Sequence, residues 1–285
     1  MKIISSPSEM NALTRAYRKN GATIGLVPTM GALHQGHVSL LATSAARADV
    51  TVLSIFVNPT QFGPAEDYGR YPRAFEADRG KAAAAGCTVI FAPEVDGMYP
   101  PGHRTIVEVE ELGARLCGVS RPTHFRGVAT VVLKLINIVA PDFAFFGQKD
   151  AQQVIILKRM TTDLQVPVTI EICATVREAD GLAMSSRNAY LSPQERRAAP
   201  AIYRGLQAAL DRYDHGERNS APLREAVVSC VRAEPLMQPE YIDIVDTQSL
   251  HYLAMVSSTA LIAVACRTAE SGTRLIDNIV IGGSL

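Results

Sequence analysis

Five apolar, β-rich runs, at 23–27, 50–57, 87–91, 142–146 and 167–173, alternate with stretches of helical character. Buried strands joined through helices pair in parallel, because a parallel connection needs a crossover long enough to carry a helix. The intervening stretches have the matching period. Val128, Val131, Val132, Leu135 and Val139 line one helix face, and Val154, Leu157 and Met160 repeat the pattern after Asp150. The alternation predicts an α/β fold built on a doubly wound parallel sheet, whose ligands bind beyond the carboxyl ends of the strands. Functional residues are therefore expected just after strands.

The pattern changes near Tyr190. Ser192, Pro193 and Glu195 read as a capping box with proline at the first helical position, opening a helix expected to reach about Leu210. Beyond a polar stretch come another helix and strand candidates at 241–245, 260–266 and 275–281, with no further βαβ alternation. A chain of 285 residues suits two domains. The expected division is 1–186 for the α/β domain and 187–285 for a smaller α+β domain.

Composition narrows the partners. Lys+Arg 28 balance Asp+Glu 28, so no basic excess is present to hold a nucleic acid. The longest apolar stretch, 128–140, is interrupted by Lys134 and Asn137 and falls short of the ~20 residues of a membrane span. The opening MKIISSPSEMN lacks the apolar core of an export signal, and five scattered cysteines without CxxC spacing suggest neither disulfides nor a zinc site. A cytoplasmic protein acting on small molecules is expected.

Four segments carry candidate chemistry. PTMGALHQGH, 28–37, follows the first strand run and precedes a helix; Gly31 and Gly36 let backbone approach a ligand, and His34 and His37 fall in the opening turn. A helix N-terminus offers unpaired N–H groups and a partial positive charge, which suits a polyphosphate. The same pattern also suits a helix cap with two ordinary histidines. FVNPTQFGPAEDYGRYPR, 56–73, ends the second strand run in a stiff loop that presents Gln61, an amide able to donate and accept. In FFGQKDAQQ, 145–153, a strand ends in glycine and Lys149 follows as a point charge for phosphate, with Gln153 expected on the same helix face as Lys149 and Asp150. VREADGLAMSSRN, 176–188, is a loop in which Ser185, Ser186 and Arg187 can clasp pyrophosphate.

Taken in order, PTMGALHQGH, FVNPTQFGPAEDY, HFRGVATVVLKL, FFGQKD and DGLAMSSRN closely resemble the signatures of the pantothenate synthetase (pantoate–beta-alanine ligase) family, and the likeness continues to RLIDNI near the end. Residues 34–37 resemble the HIGH signature of the nucleotidyltransferase superfamily, and 184–187 its KMSKS loop. Gln35 and Gln148 stand where the family usually has glutamate, and Gly69 where aspartate is common.

The resemblance implies a Rossmann-like ATP domain, a C-terminal lid domain and a homodimer. It further implies that ATP and pantoate form pantoyl adenylate, which beta-alanine then attacks. On that footing Met30, Gly31, Ala32, Leu33, His34, Gln35, Gly36 and His37 line the ATP site, with His34, His37 and Lys149 catalytic. Lys149, Ser185, Ser186 and Arg187 hold the β- and γ-phosphates, with Asp150 behind them. The backbone of Gly147, Val176 and Met184 cradles the adenosine, and Gln148 and Asp150 also belong to the ATP site. Gln61 and Gln153 hold pantoate, and Mg2+ travels with ATP, its protein ligands undefined.

Overall fold

The computed structural model describes residues 1–64 and 66–285, so Ala65, inside the second motif, lies outside the described residues. The chain divides into two compact units. The first comprises residues 1–114, 118–147 and 152–173, and the second 115–117, 148–151 and 174–285.

The first unit is a six-stranded parallel sheet: β1 (Lys2–Ile4), β2 (Ile24–Thr29), β3 (Val50–Ile55), β4 (Val89–Phe91), β5 (Phe143–Gly147) and β6 (Thr169–Cys173), in the order β1-β4-β3-β2-β5-β6. Its longer helices are α1 (Pro7–Lys19), α2 (Gln35–Arg47), α3 (Phe75–Ala84), α4 (His124–Val139) and α5 (Ala151–Asp163). Side chains alternate across the sheet, so consecutive apolar residues serve two cores. Leu26, Val52, Val89 and Phe146 join Met10 of α1, Val128 and Leu135 of α4 and Leu157 of α5. Val27, Leu53, Ile90 and Phe145 join Leu41 of α2 and Ala82 of α3. Helices thus cover both faces, as the continuous apolar runs require.

From β2 the chain crosses through α2 to β3 on one side, and from β5 through α5 to β6 on the other. The strand order therefore reverses between β2 and β5, and the crevice beyond their carboxyl ends is where such a sheet takes ligands. Motifs 28–37 and 145–153 start at those two strand ends.

All five strand runs read from the sequence form strands, with ends shifted by up to two residues. β1 escaped the reading because it is three residues long, sits at the sheet edge and buries only Ile4.

The second unit contains β7 (Met237–Asp246), β8 (Ala260–Thr268) and β9 (Arg274–Ile281), antiparallel in that order. Its helices are α6 (Pro193–Ala198), α7 (Ala201–Asp214) and α8 (Ser220–Arg232). Ile202 and Leu206 of α7 and Leu223, Val227 and Val231 of α8 close its core with Ile244, Ile262 and Val264. The capping box forms as expected, Ser192 Oγ accepting from Glu195 N. The single helix expected to Leu210 is instead two, α6 and α7, meeting at Pro200, whose ring cannot continue an upstream helix.

The main crossing into the second unit falls at Cys173/Ala174, ahead of the 186/187 division read from the sequence. The reason lies in residues 176–184, which close on themselves: Met184 N donates to Val176 O at 3.0 Å and Glu178 N to Leu182 O at 2.8 Å. The loop read as a strand-end motif of the α/β domain thus groups with the second unit, as does the turn 148–151.

Candidate active site

Beyond β2 the chain reverses within two residues. Gly31 (φ 85°) and Ala32 (φ 51°) are both left-handed, a conformation that costs an L-residue on the order of 1 kcal/mol or more. The turn persists because the buried carboxylate of Asp78, on α3, accepts from Ala32 N at 2.8 Å and Leu33 N at 2.7 Å, and Lys81 Nζ donates to Leu33 O at 2.6 Å. A Cβ at Gly31 would approach Asp78 Oδ2 to 3.1 Å, so glycine is needed for both φ and space.

This turn delivers α2. His34 is its N-cap, Nδ1 accepting from Gly36 N at 3.2 Å, and His37 Nδ1 accepts from His34 N at 3.3 Å. The rings lie 4.0 Å apart between centroids. The two readings left open by the sequence are therefore compatible. Capping uses Nδ1 as acceptor, which in a neutral imidazole places the proton on Nε2 and makes that nitrogen a donor suited to phosphate oxygens.

The second motif meets the first. Gln61 Nε2 donates to Met30 Sδ at 3.3 Å, while Gln61 Oε1 accepts from Asn58 Nδ2 at 3.1 Å. Asn58, 1% exposed, also donates to Gly127 O at 3.1 Å and accepts from Tyr99 OH at 2.9 Å. The Gln61 carbonyl is gripped by Arg121 Nη2 at 3.3 Å and lies 2.9 Å from His124 Nδ1. Arg121 in turn pairs with Glu66, Nε to Oε1 at 2.9 Å. Burial raises the Glu66 carboxyl, but Arg121, with the Gly63 N–H and His124, brings it below its ordinary value. Gln153 belongs to the same unit, half-buried in the first turn of α5.

In the second unit, Gln148–Asp150 is a 3-10 turn, so Lys149 and Asp150 stand ahead of the helix carrying Gln153 rather than on its face. Lys149 Nζ lies 3.5 Å from Asp150 Oδ1. Hydrogen bonding joins Val176 and Met184, two of the backbone positions expected at the nucleotide. Ser185 caps the next 3-10 turn, Ser186–Tyr190, its hydroxyl accepting from Arg187 N at 3.3 Å. Of the candidate phosphate-binding residues, 30–37 and Gly147 belong to the first unit, and 148–150 and 184–187 to the second.

The family model for pantoate-beta-alanine ligase matches residues 2–280. The chain belongs to the pantoate–beta-alanine ligase family. Pantothenate synthetases of Roseiflexus castenholzii and Pelotomaculum thermopropionicum are 52% and 50% identical to it over 281 and 282 residues, covering 99% of each chain. Among solved structures, pantothenate synthetase from Thermus thermophilus is 43% identical with a TM-score of 0.92, covering 98% of this chain and 99% of that one. Pantoate-beta-alanine ligase from Francisella tularensis, complexed with beta-gamma ATP and beta-alanine, is 32% identical with a TM-score of 0.79, covering 100% and 99%. The parallel sheet with a smaller antiparallel domain is therefore this ligase family's fold.

Several residues that build the candidate site carry no signal in the sequence. Asp78 and Lys81 lie on a short polar helix where nothing local marks a buried carboxylate. Asn58 lies in the loop that ends the second strand run, and His124 and Gly127 lie within the HFRGVATVVLKL signature, with nothing local to mark their contacts. Gly127 has a physical role, since a Cβ there would stand 2.4 Å from Thr60 O and 2.7 Å from Gln61 N. Gly127→Ala is expected to destabilise the fold by about 1–3 kcal/mol through overpacking. It should also raise the KM for pantoate, because the turn carrying Gln61 must shift. Denaturation curves and pantoate titration check both effects, and an unchanged KM would separate Gly127 from the site.

Proposed function

We propose that the chain condenses pantoate with beta-alanine at the expense of ATP by way of a pantoyl adenylate, giving pantothenate, AMP and pyrophosphate. The observation that carries this reading is the imidazole pair capping α2 immediately beyond β2, at the sheet's switch point, within a chain that belongs to the ligase family throughout. In the first step a pantoate carboxylate oxygen bonds to the α-phosphorus and the bond to the β-phosphate oxygen breaks. In the second, the beta-alanine amine bonds to the acyl carbon, AMP departs and the amine loses a proton.

Carboxylate attack on phosphorus needs alignment and compensation of negative charge rather than a protein nucleophile. His34 and His37 supply Nε2–H donors at a helix N-terminus, where the partial positive charge adds to theirs. Lys149, Ser185, Ser186 and Arg187 hold the β- and γ-phosphates, the backbone of Gly147, Val176 and Met184 cradles the adenosine, and Gln148 lies beside Lys149 in the ATP site. Gln61 and Gln153 hold pantoate through its hydroxyls and carboxylate. The first unit serves as the ATP- and pantoate-binding catalytic domain and the second as a lid.

Among the described residues no group of three or more His, Cys, Asp or Glu side chains is placed to hold a metal. Mg2+ would be carried by the triphosphate, since the ion commonly keeps water and substrate oxygens as ligands, and would neutralise phosphate charge there, with Asp150 standing behind the phosphate-binding side chains. A homodimer in the cytoplasm completes the reading.

Pyrophosphate exchange tests the order of steps. Labelled pyrophosphate should enter ATP when pantoate is supplied without beta-alanine, because the first step is complete without the amine. Exchange that strictly requires beta-alanine would overturn the stepwise route.

A further inference from the structure

Asp277 and Asn278, consecutive residues of β9, sit in the RLIDNI stretch to which the reaction above gives no role. Each is 4% exposed. The antiparallel pairing of β9 with β8 needs no polar side chain, and burying a polar side chain is costly unless hydrogen bonds offset it. Their bonds lead to two separate segments of the same unit.

Asn278 Nδ2 donates to the carbonyl oxygens of both Gln148 and Lys149, at 2.9 Å each. An amide bridging successive carbonyls fixes the peptide between them, and with it the direction in which the Lys149 side chain leaves the turn. Asp277 grips the other segment. Its Oδ2 and Oδ1 accept from Arg177 Nη1 and Nη2 at 2.6 and 3.0 Å, a bidentate fork. Arg177 Nη1 also donates to Gly181 O at 3.0 Å, the guanidinium lies 4.0 Å from the Tyr203 ring centroid, and Arg177 pairs with Ala183 across the hairpin. The fork thereby holds the hairpin whose exit is Met184 and the serines after it. Asp277 Oδ1 further accepts from Asn278 N at 2.8 Å, tying the two side chains together.

We propose that Asp277 and Asn278 are positioning residues that hold both polyphosphate-binding segments of the second unit from one strand, Asn278 setting the Lys149 turn and Asp277 setting the hairpin that leads into 184–187. This rests on the assignment of Lys149 and 185–187 to the β- and γ-phosphates. Asn278 acts on the nucleotide through Lys149, so its loss bears on the phosphates beyond the first.

Calorimetric binding of a non-hydrolysable ATP analogue and of AMP to the full chain tests this, with Asn278→Ala, Lys149→Ala and the double variant. Asn278→Ala is expected to weaken binding of the ATP analogue about tenfold, the effect of one lost buried polar contact, and to leave AMP binding unchanged. In the Lys149→Ala background the same change should add less than about twofold, since residues acting through one group are not additive. Equal loss for both nucleotides, or full additivity with Lys149→Ala, overturns the proposal. If Lys149→Ala itself leaves analogue binding unchanged, the phosphate assignment of Lys149 fails; if it weakens binding and Asn278→Ala does not, the positioning role alone fails. Should Asn278→Ala not fold, Asn278→Ser, which keeps one donor, is read in the same assays. It should give an intermediate loss confined to the ATP analogue, and a loss shared with AMP counts against the proposal.

Discussion

His37→Ala is expected to slow adenylate formation by on the order of a hundredfold or more in single-turnover measurements, the usual consequence of removing one preorganised donor from a developing anion. His37 stands at the third position of α2 with Nδ1 held by His34 N at 3.3 Å, so its ring orientation is set by the backbone before any ligand arrives. The same hydrogen bond gives the residue a structural share. Loss of a capping interaction typically costs about 1 kcal/mol. His37→Asn separates the two contributions, because its amide oxygen can still accept from His34 N. That variant should recover stability while adenylation remains slow. Adenylation close to wild type in a folded His37→Ala protein would remove the imidazole from the mechanism.

Glu195→Gln is expected to destabilise the second unit by about 2–3 kcal/mol near neutral pH, as a buried anionic acceptor is replaced by a neutral amide. Glu195 is fully buried, and its carboxylate gathers three backbone donors: Ser192 N at 3.0 Å, Glu270 N at 2.9 Å and Ser271 N at 2.8 Å. These tie the start of α6 to the β8–β9 turn. Burial alone would raise the carboxyl, but the N–H groups of Ser271 and Ser192 and the hydroxyls of Thr268 and Ser271 bring it down to about 2. Because the folded value lies below the unfolded one of 4.5, the unfolded chain binds the proton first as pH falls. The stabilisation is therefore complete above about pH 4.5 and lost progressively toward pH 2. Denaturant unfolding of both proteins from pH 7 down to pH 3 should show the gap closing with acidification. A gap independent of pH would assign the effect to packing.

Most of the fold could be read from spacing. The alternation of apolar runs with 3.6-period stretches is a property of neighbouring residues, so the central strands, the long helix α4 and the start of α2 after β2 follow from the chain alone. The capping box at Ser192 is readable for the same reason, its partners being three residues apart. Pro200 was visible too, and giving it its usual weight would have divided α6 from α7. In the site, His34, His37, Gln61 and Lys149 stood out because glycines and strand ends flank them.

The remainder was decided by contacts between residues far apart in the chain. The left-handed turn at Gly31 and Ala32 is held by a carboxylate 46 residues later, and the Lys149 turn by an amide 129 residues later. Neither Asp78 nor Asn278 has a local pattern to announce it, since a polar residue on a helix or strand usually faces water and these become buried anchors only once the sheets have formed. The division between the units has the same origin: residues 176–184 have the local pattern of a loop after β6, and their own hydrogen bonds and that of Arg177 with Asp277 group them with the second unit. By itself the sequence determined most of the elements and which side chains are candidates for phosphate chemistry, because those depend on short-range periodicity and residue type. Only the tertiary structure decided what orients those side chains, because satisfying a buried backbone turn requires whichever donor or acceptor the fold brings alongside.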